Sequence, residues 1–148
     1  MEENLTKSQT RMALARALAA YAHFGQTDKA GNPYLSHPLA VADGVEGEDA
    51  KIAALLHDTV EDTFVTVETI RNLFGDAVAD AVEALTHRED EDYFTYVRRA
   101  GKNPIARQVK LSDLRHNMDL SRLPVVTEKD LKRLEKYKKA REILREMD

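Results

Sequence analysis

Apolar residues recur at spacings of three and four along almost the whole chain. Leu14, Leu18 and Tyr21 make the first such stripe, and no segment alternates apolar with polar long enough to form a strand. The pattern predicts an all-α domain, and start and stop signals divide it into helices. Thr6 with Gln9 has the spacing of a capping box, while Gly25, Gly31 and Pro33 make a loop of the stretch before Ser36. Ser36 is placed to cap a short helix through Pro38 to Val45, since a proline in a first turn removes no internal hydrogen bond. From about Ala50 to Asp58 the chain is apolar on nearly all sides, which predicts a buried helix. Thr66 opens a helix that Gly75 ends, and Asp76 opens one carrying Val78, Val82 and Leu85, the two expected to cover the core from outside. The acidic run Glu89 to Asp92 leads into a helix with Tyr93, Tyr96 and Val97. Asn103-Pro104 starts another, expected to reach about Leu120, and Thr127 begins a last helix with a stripe of Leu131, Leu134, Lys138, Arg141 and Leu144. About seven to eight helices in one compact bundle, a single domain over residues 1–148, account for the pattern.

Composition narrows the class. A chain of 148 residues buries roughly 70% of its unfolded surface, so it needs no staple, and it has no cysteine to make one. Thiolate metal sites and cysteine nucleophiles are excluded with the disulfides, so a metal must sit on His, Asp or Glu. The longest apolar stretches, such as Ile52 to Leu56, fall far short of the roughly 20 residues that span a bilayer. The acidic start Met1-Glu2-Glu3 lacks the basic region of a signal peptide, so a cytoplasmic protein with no membrane partner is expected. With 22 Lys+Arg against 26 Asp+Glu the net charge is -4, which argues against duplex nucleic acid as a partner. Oligomeric state is open, because Leu123, Val125 and Val126 suit a core or an interface equally.

Chemistry enters where polar residues interrupt the apolar pattern. His57-Asp58 closes the apolar helix, where an ionised carboxylate carries a penalty of several kcal/mol unless a cation compensates it. If the helix persists, Glu61 and Asp62 fall near the same face, and three carboxylates in one turn ask for a cation. A helix end open to water, its acids solvated, accounts for the same residues. Farther on, Lys110, Asp113 and Asn117 share one face amid Val109, Leu111, Leu114 and Met118, which also suits an ordinary amphipathic helix. His37 precedes Pro38, which predicts an extended or turn backbone there. His87 suits an exposed helix end, and His23 and His116 suit supporting or substrate-contact roles.

Taken together, His37, His57-Asp58 and Asp113 resemble the spaced histidine, His-Asp pair and distant aspartate of the HD superfamily of metal-dependent phosphohydrolases. The runs Ala22 to Gln26, Gly31 to Ala42, Leu55 to Thr63 and Val109 to Asp113 are similar, in order, to the hydrolase domain of RelA/SpoT-type (p)ppGpp enzymes. At one domain's length the chain resembles the stand-alone small alarmone hydrolases of that family, the metazoan SpoT-like ones among them. The resemblance implies that His37, His57, Asp58 and Asp113 bind one divalent ion, usually manganese, and a donor set of nitrogen and oxygen leaves iron, nickel and zinc open. It implies that Glu61 and Asp62 orient and deprotonate a water. Lys29, Tyr34, Lys110 and Asn117 become nucleotide contacts, with Arg133 and Tyr137 on the last helix.

The activity implied is a ppGpp 3′-pyrophosphohydrolase. An HD-type nucleotidase or phosphodiesterase on another phosphorylated substrate and a non-catalytic nucleotide-binding module are the alternatives. One departure stands out: Asp28 replaces a family cation. At an effective dielectric of about 20 and about 6 Å, one unit charge acts on another with roughly 3 kcal/mol before screening, so the reversal is expected to weaken nucleotide binding.

Overall fold

A computed structural model describes residues 6–147, so the acidic start Met1-Glu2-Glu3 lies outside the described residues. Helices follow one another: α1 (Lys7–Ala22), α2 (Ser36–Asp43), α3 (Glu48–Leu56), a single turn α4 (Thr59–Asp62), α5 (Val67–Phe74) and α6 (Asp76–Ala84). Then come α7 (Tyr93–Gly101), α8 (Pro104–Asn117), a 3₁₀ turn at Leu120–Arg122, and α9 (Glu128–Glu146). The domain is all-α; among the described residues the nearest approach to sheet is one isolated bridge between Thr27 and Pro33. The lone turn α4 set aside, the eight helices among the described residues match the expected number.

Local signals explain most boundaries. Thr6 and Gln9 form the expected capping box, as do Thr127 and Asp130 at α9, each satisfying otherwise orphaned amides. Thr66 caps α5, Asp92 caps α7, and Asn103 caps α8 with Pro104 in its first turn. Gly75 separates α5 from α6 with φ at +95°, a backbone conformation that a side chain resists.

Packing puts α3 at the centre. Ile52, Ala53, Ala54, Leu55 and Leu56 are all buried, and α1, α2, α6 and α8 surround them. Each fully buried leucine or isoleucine there contributes about 1.5–3 kcal/mol, which lets the helix carry polar residues at its C-terminal end. A second cluster gathers Tyr96, Val97, Ala100, Leu114, Ala140 and Leu144 from α7, α8 and α9. Helix α8 gives one side to each cluster and so ties α9 to the rest.

Five expectations need correction. Ser36 is the first residue of α2 and not its cap: its hydroxyl donates to the Pro33 carbonyl at 2.9 Å. His37 is therefore helical despite Pro38, because amides of a first turn have no helical acceptor for the proline to lose. Helix α3 stops at Leu56, and His57 and Asp58 form the joint before α4 rather than a continuous helix. Helix α8 ends at Asn117, where Asp119 caps the 3₁₀ turn and draws the chain aside. On α9 the inward face runs through Tyr137, Ala140 and Leu144, while Leu131 is exposed.

Candidate metal centre and active site

Three elements bring the site together. His37 projects from the first turn of α2, His57 and Asp58 occupy the joint after α3, and Asp113 stands in α8. The Ser112 hydroxyl donates to the Val41 carbonyl at 2.8 Å, and Gly44 lies so close to Ser112 and Arg115 that a Cβ would have no room. Lys51 of α3 closes the other side by donating to the carbonyls of Ala42 and Val45 at 3.1 and 2.9 Å. Helix α2 is thus held between α3 and α8, with its histidine facing both.

The donor atoms converge. His37 Nε2 lies 2.8 Å from Asp113 Oδ1 and 3.8 Å from Asp58 Oδ2; His57 Nε2 lies 3.0 Å from Asp58 Oδ2 and 3.5 Å from Asp113 Oδ1. Two donors about 2.1 Å from one ion stand about 3 Å apart when at right angles, so these spacings are those of a coordination shell. The fit rests on one atom. His57 Nδ1 donates to the Ala54 carbonyl at 2.6 Å, which leaves Nε2 as the lone-pair nitrogen, and that Nε2 is buried with no hydrogen-bond partner. A lone pair facing two carboxylates with nothing between them is electrostatically unfavourable; a divalent cation removes the conflict, as a proton on Nε2 does in its absence. His37, His57 and Asp113 form one compact donor group, and Asp58 links it to a second group with Glu61 and Asp62.

Other residues hold the ligands in place. Asp113 accepts from Lys110 Nζ at 3.0 Å and from Asn117 Nδ2 at 3.1 Å, and the Tyr34 hydroxyl donates to Asp58. Burial by itself would raise Asp113, but the Lys110 charge, with the histidines beside it, holds it well below the ordinary carboxylate range. Asp58 is likewise lowered against the effect of burial, chiefly by His57. Burial opposes a charge on His57, yet the Asp58 carboxylate lifts it well above the ordinary histidine range. In the metal-free protein a proton on His57 serves the same carboxylates that a cation would. Glu61 and Asp62 go the other way: partial burial raises both, with the Asp58 charge adding to each. Burial and the Arg122 charge lower His116.

A cavity of about 460 Å³ opens above the centre. His37, Asp58 and Asp113 reach its wall, as do Lys29, Tyr34, Lys110, Asn117, Arg133 and Tyr137, so the sequence-predicted metal and nucleotide contacts meet in one place, with His57 just behind. Glu61 and Asp62 do not line it. They lie beyond Asp58, and Glu61 Oε1 accepts the His87 backbone N–H at 2.7 Å. Lys110 is buried and committed to Asp113, and Lys29 reaches across to Asp130 at 3.3 Å. Asp28 is turned into its own loop: its Oδ1 accepts from the amides of Ala30 and Asn32, both at 2.9 Å, so two N–H dipoles offset the charge that the sequence reading set against a nucleotide.

Sequence reasoning missed Arg122, Lys136 and Tyr93, which also line the cavity. Lys136 lies over the Tyr93 ring at 4.4 Å. In a helix with so many Lys and Arg no single cation stands out by pattern, although Lys136 directly precedes Tyr137 and follows Arg133 by three residues.

The fold and the donor set define a class. The HD-domain family model matches residues 15–146, and the chain belongs to that family. Within it, the chain is 36% identical to the GTP pyrophosphokinase of Streptomyces coelicolor, over 94% of this chain and 17% of that protein. It is 37% identical to a probable guanosine-3′,5′-bis(diphosphate) 3′-pyrophosphohydrolase of Synechocystis sp., over 65% of this chain and 15% of that protein. It is 32% identical to the bifunctional (p)ppGpp synthase/hydrolase SpoT of Escherichia coli, over 73% of this chain and 18% of that protein. The chain thus spans less than a fifth of the length of these relatives. A solved structure of a metazoan orthologue of SpoT that hydrolyses ppGpp shares the fold, with a TM-score of 0.79 at 24% identity, over 99% of this chain and 90% of that one. No helix among the described residues is long and apolar enough to cross a membrane.

Proposed function

We propose that this chain is a metal-dependent phosphohydrolase of a nucleotide, and in its specific form removes the 3′-pyrophosphate of guanosine 3′,5′-bis(diphosphate). The observation that carries this is the unpartnered Nε2 of His57, facing two carboxylates at the floor of a cavity whose wall also carries Lys29, Arg122, Arg133 and Lys136. His37, His57, Asp58 and Asp113 would hold one divalent ion, with manganese as the expected metal and iron, nickel and zinc compatible with the same donors. When bound, such an ion lowers the pKa of a water molecule and polarises a phosphoryl oxygen.

The protein's own residues supply the rest. Lys110 and Asn117 fix the Asp113 carboxylate, and Tyr34 fixes Asp58. Lys29, Arg122, Arg133 and Lys136 offset phosphate charge, while Tyr93 and Tyr137 offer faces for a base. Glu61 and Asp62, both raised by partial burial, orient and deprotonate the attacking water, and one returns a proton to the leaving oxygen. The activities of the Synechocystis and Escherichia coli relatives support the substrate; the pyrophosphokinase activity of the Streptomyces relative belongs to a protein of which this chain matches only 17%.

Release of phosphate and pyrophosphate over a nucleotide panel with added Mn²⁺ tests the reading. Pyrophosphate from guanosine 3′,5′-bis(diphosphate), lost in Asp113→Asn together with bound metal, is expected. Orthophosphate or diester cleavage from other nucleotides alone would transfer the chain to another phosphohydrolase activity. Release from none would leave a binding module.

A further inference from the structure

The two histidines of the centre face the same requirement. An imidazole that offers one nitrogen to a metal must carry hydrogen on the other, and an acceptor for that N–H fixes both tautomer and aim. His57 meets the requirement with backbone, donating Nδ1–H to the Ala54 carbonyl at 2.6 Å. For His37 the atom at that place is His116 Nδ1, 2.7 Å from His37 Nδ1. The ring centres are 5.0 Å apart, which is the N···N distance plus one ring radius at each end. The nitrogens therefore meet head-on along the line of centres, as in a linear N–H···N hydrogen bond, and not as stacked faces.

We propose that His116 is a positioning residue: its Nδ1 accepts the Nδ1–H of His37 and thereby directs His37 Nε2 at the divalent ion. This rests on the metal reading above. Neutral His116 then carries its hydrogen on Nε2. Its place follows from helix geometry, because His116 comes three residues after Asp113 and one before Asn117, so the last turn of α8 supplies a ligand and two residues that set ligands. The turn itself is closed by Arg122, whose Nη2 donates to the His116 carbonyl at 3.1 Å, and by the Asp119 amide, which donates to it at 3.2 Å. The opposite proton arrangement, His116 donating to His37 and His37 donating from Nε2 to Asp113, would leave His37 no lone pair for a metal.

Mn²⁺ titration of chelator-treated protein by calorimetry tests the assignment, with wild type, His116→Leu, His116→Asn and Asp113→Asn run side by side. His116→Leu is expected to weaken Mn²⁺ by about 10- to 100-fold. His116→Asn, whose side-chain carbonyl can accept the same N–H, is expected to recover most of that, which a merely structural role would not produce. Wild-type affinity in His116→Leu overturns the proposal, as does an equal loss in both His116 variants. If Asp113→Asn also binds as wild type, the metal reading itself has failed; if only Asp113→Asn loses the ion, the role of His116 alone has failed. Zn²⁺-loaded wild type gives a second readout through long-range ¹⁵N–¹H correlation. Hydrogen on His37 Nδ1 and on His116 Nε2 supports the proposal, and hydrogen on His116 Nδ1 overturns it.

Discussion

Replacing Lys110 with methionine keeps a long unbranched side chain and removes the ammonium, which faces Asp113 and lies 5.9 and 5.1 Å from the Tyr93 and Tyr96 ring centres. Nζ and Oδ2 are 3.0 Å apart, and both residues are buried, Lys110 at 8% and Asp113 at 4% exposure. At an effective dielectric of about 20 that pair attracts with about 5–6 kcal/mol. Removing one member of a buried pair leaves the other uncompensated and costs about 3–5 kcal/mol. Asn117 still donates to the other oxygen of Asp113, which places the expected loss nearer 3 than 5 kcal/mol as an order of magnitude. At roughly 2–4 °C per kcal/mol for a domain of this size, the metal-free unfolding midpoint should fall by about 10 °C. A divalent ion gives Asp113 back a positive neighbour, so in saturating Mn²⁺ the fall should be less than half as large. Thermal unfolding followed by circular dichroism at pH 7.5, in chelator and in Mn²⁺, measures both numbers. A metal-free loss below about 1 kcal/mol would refute the claim that Asp113 depends on Lys110. An equal loss in both conditions would refute the claim that the cation sits against Asp113.

Glu61→Gln should slow turnover by at least about 100-fold while leaving bound metal in place, as expected for an acid-base group; an unchanged kcat would assign the proton transfer elsewhere. The same change bears on stability. The Glu61 carboxyl is raised above its unfolded value of about 4.3, so its favourable contribution is complete below that pH and is lost as pH rises through the folded value. Metal-free Glu61→Gln is therefore expected to melt higher than wild type at pH 7.5 and to lose that advantage near pH 4; a lower midpoint at pH 7.5 contradicts it. In the loop before α2, Asp28→Asn keeps an acceptor for the Ala30 and Asn32 amides and removes the charge, whereas Asp28→Arg removes both. Asp28→Asn should tighten nucleotide binding by less than about tenfold, or 1.4 kcal/mol, and Asp28→Arg should weaken it. Equilibrium dialysis that found Asp28→Arg the tighter binder would show that the turn is dispensable.

The chain's own pattern was enough for the helices and most of their ends, because caps, glycines and prolines act over a few residues and leave a local mark: Thr6 with Gln9, Thr66, Gly75, Asn103-Pro104 and Thr127 all stand where the helices begin or stop. It also singled out His57 and Asp58, since a histidine and a carboxylate ending a wholly apolar helix conflict with their surroundings, whereas His37 and Asp113 joined them only through the resemblance to the HD superfamily. Tertiary packing decided the rest. It turned the His57-Asp58 peptide into a joint, set Glu61 and Asp62 beyond Asp58 and outside the cavity wall, and drew Asp28 into its loop. It also placed His116 head-on to His37 across 79 positions of sequence. Such relations depend on distances between segments far apart along the chain, and those distances are fixed only when α2, α3 and α8 bury a common core. Local pattern says which face of a helix is buried; which atoms meet across that face is decided by the packing of the whole.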